Sequence, residues 1–280
     1  MVVFFIGISG WTYAGWRGGF YPKGLAHKRE LEYAAEHVNS IEINGSFYSL
    51  QRPTSYLAWR QRTPESFLFS VKGPRFITHM KKLRGVDLPL ANFFASGVLA
   101  LGPKLGPILW QLPPSLGYDP QRLADFFALL PRTTGAAALL AEGHEERLKD
   151  RSWTQTDADR PLRHALEVRH GTYDVPAFPA LLREHDIALV TADTAGKWPF
   201  LEDQTSDFAY VRLHGDEELY VSGYSEESLE MWERKCRRWG EGGRDVFVYF
   251  DNDVKVRAPF DAMSLARRLE VATEAAYQRL

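Results

Sequence analysis

The chain has 280 residues, 45% of them hydrophobic and 25% charged, a globular mixture that excludes intrinsic disorder, collagen-like fibre and coiled coil. Basic residues number 34 and acidic ones 36, so the formal charge is −2 and no bulk attraction to nucleic acid or an anionic membrane is expected. The single cysteine, Cys236, excludes an internal disulfide or a cysteine-based metal cluster, and its helix-like setting reads as an unremarkable thiol.

The opening Met1-Val2-Val3-Phe4-Phe5-Ile6 is apolar but too short for a signal h-region, and no basic residues precede it. No stretch approaches the roughly 20 apolar residues that span a bilayer. These features lead to the expectation of a cytoplasmic protein with no membrane association.

In chain order, short apolar or alternating runs predict strands at Val2–Ser9, Ser40–Phe47, Phe67–Gly73, Pro107–Leu112, His164–Arg169, Ala188–Asp193, Phe208–His214 and Val246–Asp251. Helix-like segments fall between them at Lys28–Val38, Ser55–Arg62, Leu90–Leu101, Gln121–Leu130, Ala177–His185 and Glu226–Trp239, with a last one at Met263–Arg279. Strands recur about every 35 residues, the size of one βα unit, which predicts a single-domain α/β fold over 1–280, a closed (β/α)₈ TIM-type barrel. Two departures stand out. Thr194–Asp207 does not read as a helix, making the barrel irregular after the sixth strand, and Arg132–Arg160 is longer than a connection needs, with one short charged helix near Glu142–Asp150.

The strands carry the functional signal. Strands of a parallel barrel are buried on both faces and ordinarily read as continuous apolar runs. Here Ile41-Glu42-Ile43-Asn44, Phe69-Ser70-Val71-Lys72, Leu109-Trp110-Gln111, Leu166-Glu167-Val168-Arg169 and Val211-Arg212-Leu213-His214 alternate apolar with polar or charged residues. Period-two geometry puts each polar set on one face. Apolar partners belong outside against helices, so the polar set points inward, near the carboxyl strand ends where TIM barrels build their sites. The expected mouth gathers Glu42, Lys72, Glu167, Arg169, Asp193, Arg212, His214 and Asp251. A self-neutralised ion-pair network is the structural alternative, although an apolar interior would stabilise at least as well. Around the mouth, the loop Ser9–Pro22 is rich in glycine and aromatics, and Phe47-Tyr48, Tyr173, Trp198 and Tyr224 extend the same rim. No complete phosphate-binding or dinucleotide fingerprint occurs, nor a Gly-x-Ser-x-Gly elbow.

Gly7-Ile8-Ser9-Gly10-Trp11-Thr12-Tyr13, Ile41–Tyr48, Trp110-Gln111-Leu112-Pro113-Pro114, Leu166–His170, Tyr210–Gly215 and Tyr249–Asp253 resemble, in order, the successive motifs of domain-of-unknown-function family 72, the YecE-like proteins. The resemblance implies a TIM-barrel-like fold and hands over no established reaction. One departure is Gly171-Thr172-Tyr173, where the family pattern implies Ser-Trp. Function must then come from the site.

Three readings remain open. In the first, a metal-independent acid–base enzyme acts on a small anionic or carbohydrate-like molecule. Lys72, Arg169 and Arg212 bind the anion, Glu42 and Glu167 serve as acid and base, and His214 shuttles a proton. Trp11, Asn44, Tyr48, Gln111, Asp193, Tyr249 and Asn252 complete the ligand contacts, and no cofactor is required. In the second, Glu167, Asp193, His214 and Asp251 hold Mn²⁺ or Mg²⁺ for an isomerase or phosphodiesterase, against the competition of Arg169 and Arg212 for the same carboxylates. The third is a non-catalytic nucleotide- or nucleic-acid-binding barrel, which the near-neutral charge disfavours. Sequence leaves the oligomeric state open. His79, after the third strand, could reach the mouth but reads more simply as an exposed loop residue, and His170 should point away from Arg169.

Overall fold

A computed structural model describes residues 2–273. Eight parallel strands close in sequence order, β1 pairing with both β2 and β8: β1 (Phe4–Ser9), β2 (Ser40–Ile43), β3 (Leu68–Lys72), β4 (Leu105–Gln111), β5 (His164–Glu167), β6 (Ala188–Asp193), β7 (Phe208–Leu213) and β8 (Asp245–Phe250). The predicted (β/α)₈ barrel is therefore observed. The helices are α1 (Glu30–His37), α2 (Gly45–Tyr48), α3 (Pro53–Gln61), α4 (Asp87–Ala95), α5 (Pro120–Leu129), α6 (Thr134–Glu142), α7 (Ala177–Glu184), α8 (Glu226–Gly240) and α9 (Ala258–Arg268). Among the described residues, no helix is long and apolar enough to cross a membrane.

Local chemistry explains the helix ends. The Asp119 side chain accepts from the Arg122 amide ahead of Pro120, and Ser225 accepts from the Ser228 amide at the start of α8. Glu226 and Glu227 open α8 and Arg237 and Arg238 close it, each set complementing the helix dipole. The buried stripe of α8 is Leu229, Trp232, Cys236 and Trp239. Cys236 is a packing residue, its thiol pushed up to about 12 by burial.

Four predicted boundaries are corrected. The second strand ends at Ile43 rather than Phe47, because Asn44 turns the chain into the single-turn α2. The segment Leu90–Leu101 is broken by Gly97 at φ +114°, so α4 gives way to a 3₁₀ run at Val98–Lys104. Within Arg132–Arg160, the expected charged helix is a 3₁₀ turn at Glu146–Arg151. The regular helix α6 precedes it, begun by Thr133 accepting from the Ala136 amide. The last helix starts at Ala258, five residues before the predicted Met263, and ends at Arg268; residues 274–279 of that expectation lie outside the described residues. The helix-free passage between β6 and β7 is as expected.

Two cores follow from the strand alternation. One lies between strands and helices and includes Ile41, Phe69, Trp110, Leu166, Val211 and Phe250. The other fills the barrel itself with Phe5, Leu109, Ala165, Val190, Phe208, Tyr210, Phe247 and Tyr249. Between the layers, Trp110 Nε1–H donates to His164 Nδ1 at 3.1 Å while the other ring nitrogen meets the Pro131 carbonyl at 2.8 Å. Burial pushes this imidazole down to about 4 and keeps it neutral.

The barrel wall leaves no room at Gly7, where an added Cβ would stand 1.9 Å from the Ser40 carbonyl oxygen. Gly7→Ala is expected to cost roughly 3 kcal/mol by overpacking, read as a melting temperature lowered by about 10 °C. Gly15→Ala, where nothing lies within 4 Å, should leave it nearly unchanged; equal melting curves for the two variants would contradict the packing described.

Candidate functional site

Inward residues stack in tiers from the amino to the carboxyl end of the strands. Above the apolar floor comes a hydroxyl tier, with Tyr249 paired to Ser40 and Tyr210 to Ser70, both at 2.7 Å. Above that lies Arg212, fully buried. Its Nη2 donates to Glu42 Oε1 and Asp251 Oδ2, each at 2.8 Å, its Nη1 to Glu167 Oε2 at 2.8 Å, and its Nε to Glu42 Oε2 at 3.1 Å. One guanidinium thus spans three carboxylates.

The glutamates are saturated by other donors. Glu42 also accepts from Ser9 Oγ at 2.9 Å and from Tyr210 Oη at 2.7 Å. Glu167 accepts from Gln111 Nε2 and Arg169 Nε, both at 2.8 Å. Burial works against ionisation of Glu167, but the Arg169 and Arg212 guanidiniums hold its carboxyl well below the usual range. Asp251 is likewise opposed by burial and held down to about 2, chiefly by Arg212. Burial lowers Arg212 and its three carboxylates raise it; the carboxylates win.

The upper tier is less consumed. His214 is buried, with Nδ1 at 3.1 Å from Asp251 Oδ2 and Nε2 at 3.3 Å from Arg212 Nη1; burial and then Arg212 lower its pKa. Tyr220 stands edge-on to this imidazole. Arg169 lies flat on Trp198, its Cζ 3.8 Å from the ring centre. Lys72 is 7% exposed, with Nζ 4.5 Å above the Phe47 ring. Among the described residues, no ion pair or hydrogen bond takes up Lys72 Nζ, the two terminal nitrogens of Arg169 or Asp251 Oδ1. Burial, then Arg212, brings the Lys72 ammonium down to about 8.

Sequence-predicted residues divide into three groups. Glu42, Lys72, Gln111, Glu167, Arg169, Arg212, His214 and Asp251 come together as described. Trp11, Asn44 and Tyr48 sit to one side, lining a cleft of about 310 Å³ with Tyr13, Gln51 and Trp59. The Asn44 Oδ1 there has no partner among the described residues, and Tyr48 is 72% exposed.

Asp193, Tyr249 and Asn252 need correction. Asp193 pairs in register with the outward Leu213, which excludes it from the inward set; it accepts from Tyr224 Oη at 3.1 Å and from the Ala195 amide. Tyr249 is sealed below the ionic tier with its hydroxyl on Ser40. Asn252 is buried within the β8–α9 connection, donating to the Ser222 carbonyl and to Asp261. The rim also loses Tyr173, which packs on Tyr118 and Phe178, and Tyr224, which is buried.

The alternative metal set is not assembled. Asp193 is diverted, Arg212 stands between Glu167 and Asp251, and no three His, Cys, Asp or Glu among the described residues are grouped to hold a metal ion. His170 turns back onto Thr172, whose amide donates to its Nδ1.

Sequence reasoning missed three contributors. Ser9 and Tyr210 are inward by parity with Gly7 and Arg212, a usable signal that a search for charged residues overlooks. His79 is half-buried, edge-on to Phe47 at 5.1 Å, and brought down to about 4 by burial and then Lys72. It stands in a five-residue π-helical turn, Phe76–Met80, which no periodicity announces.

Removing Arg212 strands three buried carboxylates. Arg212→Met is expected to cost about 3–5 kcal/mol in urea unfolding, the range for breaking a buried ion pair from one side. Arg183→Met, which breaks the exposed pair with Asp203, should cost under about 1 kcal/mol. Glu167 and Asp251 have depressed folded-state pKa values, so their contribution is present above about 4 and drains away as pH falls toward 2. Wild-type stability should therefore fall over that window, and a flat profile there would refute the network's energetic role.

Comparisons with known proteins agree with this architecture. The profile of the family described as "Protein of unknown function DUF72" matches residues 5–279. The chain is 26% identical over 245 residues to UPF0759 protein YecE of Escherichia coli strain K12, covering 84% of this chain and 81% of that protein. It is 25% identical over 268 residues to UPF0759 protein YunF of Bacillus subtilis strain 168, covering 89% and 88%. Among solved structures, a DUF72 family protein from Thermotoga maritima aligns with TM-score 0.75 at 24% identity, over 96% of this chain and 99% of the other. Another, from Enterococcus faecalis, gives 0.71 at 15% identity over 96% of each chain. With its profile matched over nearly its whole length, the chain belongs to the DUF72 family.

Proposed function

We propose that the barrel is an enzyme that binds a small anionic, hydroxyl-bearing molecule at its mouth and moves protons on it with side chains alone. One observation carries this reading. In a tier where Glu42 and Glu167 are saturated, the charged groups with valences left unclaimed among the described residues are the Arg169 terminal nitrogens, Lys72 Nζ and Asp251 Oδ1. Two are cationic donors and one is an ionised acceptor, a set that fits an anion carrying an adjacent hydroxyl.

The expected acid–base role of Glu42 and Glu167 moves elsewhere in this reading. A carboxylate whose oxygens are fully donated to is a poor proton carrier; it fixes Arg212 instead. Arg169, flattened on Trp198, anchors the anion. Asp251 Oδ1 accepts from the hydroxyl, with His214 and Arg212 holding its other oxygen. Lys72, brought near neutral pH, is the proton-transferring group.

Glycolate and acetate test the arrangement, with binding read by calorimetry and by Trp198 emission. Glycolate is expected to bind about tenfold more tightly than acetate, the ~1.4 kcal/mol of one added hydrogen bond to a charged acceptor. Asp251→Asn should shrink that preference, and Arg169→Met should weaken both anions at least tenfold. Equal affinity of wild type and Arg169→Met for glycolate would dismiss the anchor and the reading with it.

A further inference from the structure

Two buried lysines of this barrel have opposite circumstances. Lys104 Nζ donates to the Arg60 carbonyl at 2.6 Å, the Thr63 carbonyl at 2.6 Å and Thr63 Oγ1 at 3.2 Å, so all its hydrogens are placed. Lys72 Nζ has no acceptor among the described residues, although Glu42, Glu167 and Asp251 all act on it electrostatically. The reason is Arg212, which takes up oxygens of all three carboxylates and leaves the amine on the far side facing an aromatic ring. The charged and titratable groups acting on Lys72 and its surroundings stand on or just past several strands: Arg212 and His214 at β7, Glu42 at β2, Glu167 and Arg169 at β5, Asp251 at β8 and His79 after β3. A lysine with cations nearby and its counter-charges engaged elsewhere is a nucleophile rather than an ion-pair partner.

We propose that Lys72 condenses with the carbonyl carbon of a small 2-oxo carboxylate whose carboxylate group is held by Arg169, forming an imine. This rests on the reading that the mouth binds anions. The neutral amine adds to the carbonyl carbon, forming the C–N bond while the carbonyl π pair moves to oxygen, which takes a proton. The nitrogen loses one proton to solvent, leaving a neutral carbinolamine. Its hydroxyl takes a second proton and departs as water while the nitrogen lone pair closes a protonated C=N bond, the electron-withdrawing form. The remaining N–H proton is released to give the free imine. Amine plus carbonyl gives imine plus water. The imine draws electrons from the neighbouring carbon, so a C–H bond there releases its proton more readily, and enamine chemistry becomes available. The depressed ammonium pKa supports the assignment by supplying free amine at neutral pH.

The full-length chain incubated with pyruvate and sodium cyanoborohydride, then digested and mapped by mass spectrometry, tests this. Lys72 is expected to carry the reduced adduct at least tenfold faster than any other lysine. Its rate should have a midpoint near pH 8, and should fall at least tenfold in Arg169→Met. Lys72→Arg should lose that adduct while still melting cooperatively. In D₂O, wild type should exchange the pyruvate methyl protons, followed by NMR, and Lys72→Arg should not. Adducts spread evenly over surface lysines, or none at Lys72, would overturn the imine. Glycolate binding on the same sample separates the two failures: retained binding without an adduct removes only the imine, whereas loss of both removes the anion site as well.

Discussion

A single guanidinium buried in a closed barrel governs how the upper half of this molecule is arranged. Taking Arg212 and three carboxylates out of water is expensive, and it is tolerated only because nearly every lone pair and hydrogen in the cluster is placed. Ser9 and Tyr210 complete Glu42, Gln111 and Arg169 complete Glu167, and His214 lies against Asp251. Five strands besides β7 contribute, so the network ties strand positions together as well as charges. The tiers below grade the polarity, apolar floor first and then paired hydroxyls, so that no charge meets hydrocarbon abruptly.

Arg212 also decides which groups remain free. By engaging the carboxylates from one side, it leaves Lys72 without a counter-ion and Asp251 with one open oxygen among the described residues. The ring sets two guanidiniums, Arg169 and Arg212, and the titratable Lys72 against Glu42, Glu167 and Asp251. Part of this cluster is therefore the ion-pair network that strand alternation left open as an alternative. Paired and unpaired groups belong to the same cluster, and the division between them is set by which hydrogen bonds are already taken.

Much of the barrel and its mouth is legible in the order of residues alone. Strict alternation in Leu166-Glu167-Val168-Arg169 or Val211-Arg212-Leu213-His214 has no place in a parallel strand unless one face is polar, and the outer face must meet helices. That logic locates eight of the assembled residues. It fails at Asp193 because charge at a strand end says less than phase: Asp193 is out of step with Val190 and Ala192, which point inward. It fails at Tyr249 because parity gives a direction and no depth: Tyr249 and Asp251 share a face, and only the second reaches the mouth. The α6 helix is hidden by an alanine-rich run that lacks a clear amphipathic stripe, and His79 by a π turn whose hydrogen bonding no sequence period encodes. Saturation of Glu42 and Glu167 is beyond reach, since it depends on partners drawn from distant strands.

The helix-free passage between β6 and β7 bears on how such a barrel changes over time. Trp198 leans on Arg169 from this passage, Phe200 packs against Trp232 with Lys235 above its ring, and Thr205 ties the returning chain to the Ile187 carbonyl and the Leu189 amide. Those three anchors are fixed, but the backbone spacing between them is not dictated by any helical repeat. Loop length, rather than side-chain identity, is therefore the property of this passage that the barrel strands leave unconstrained.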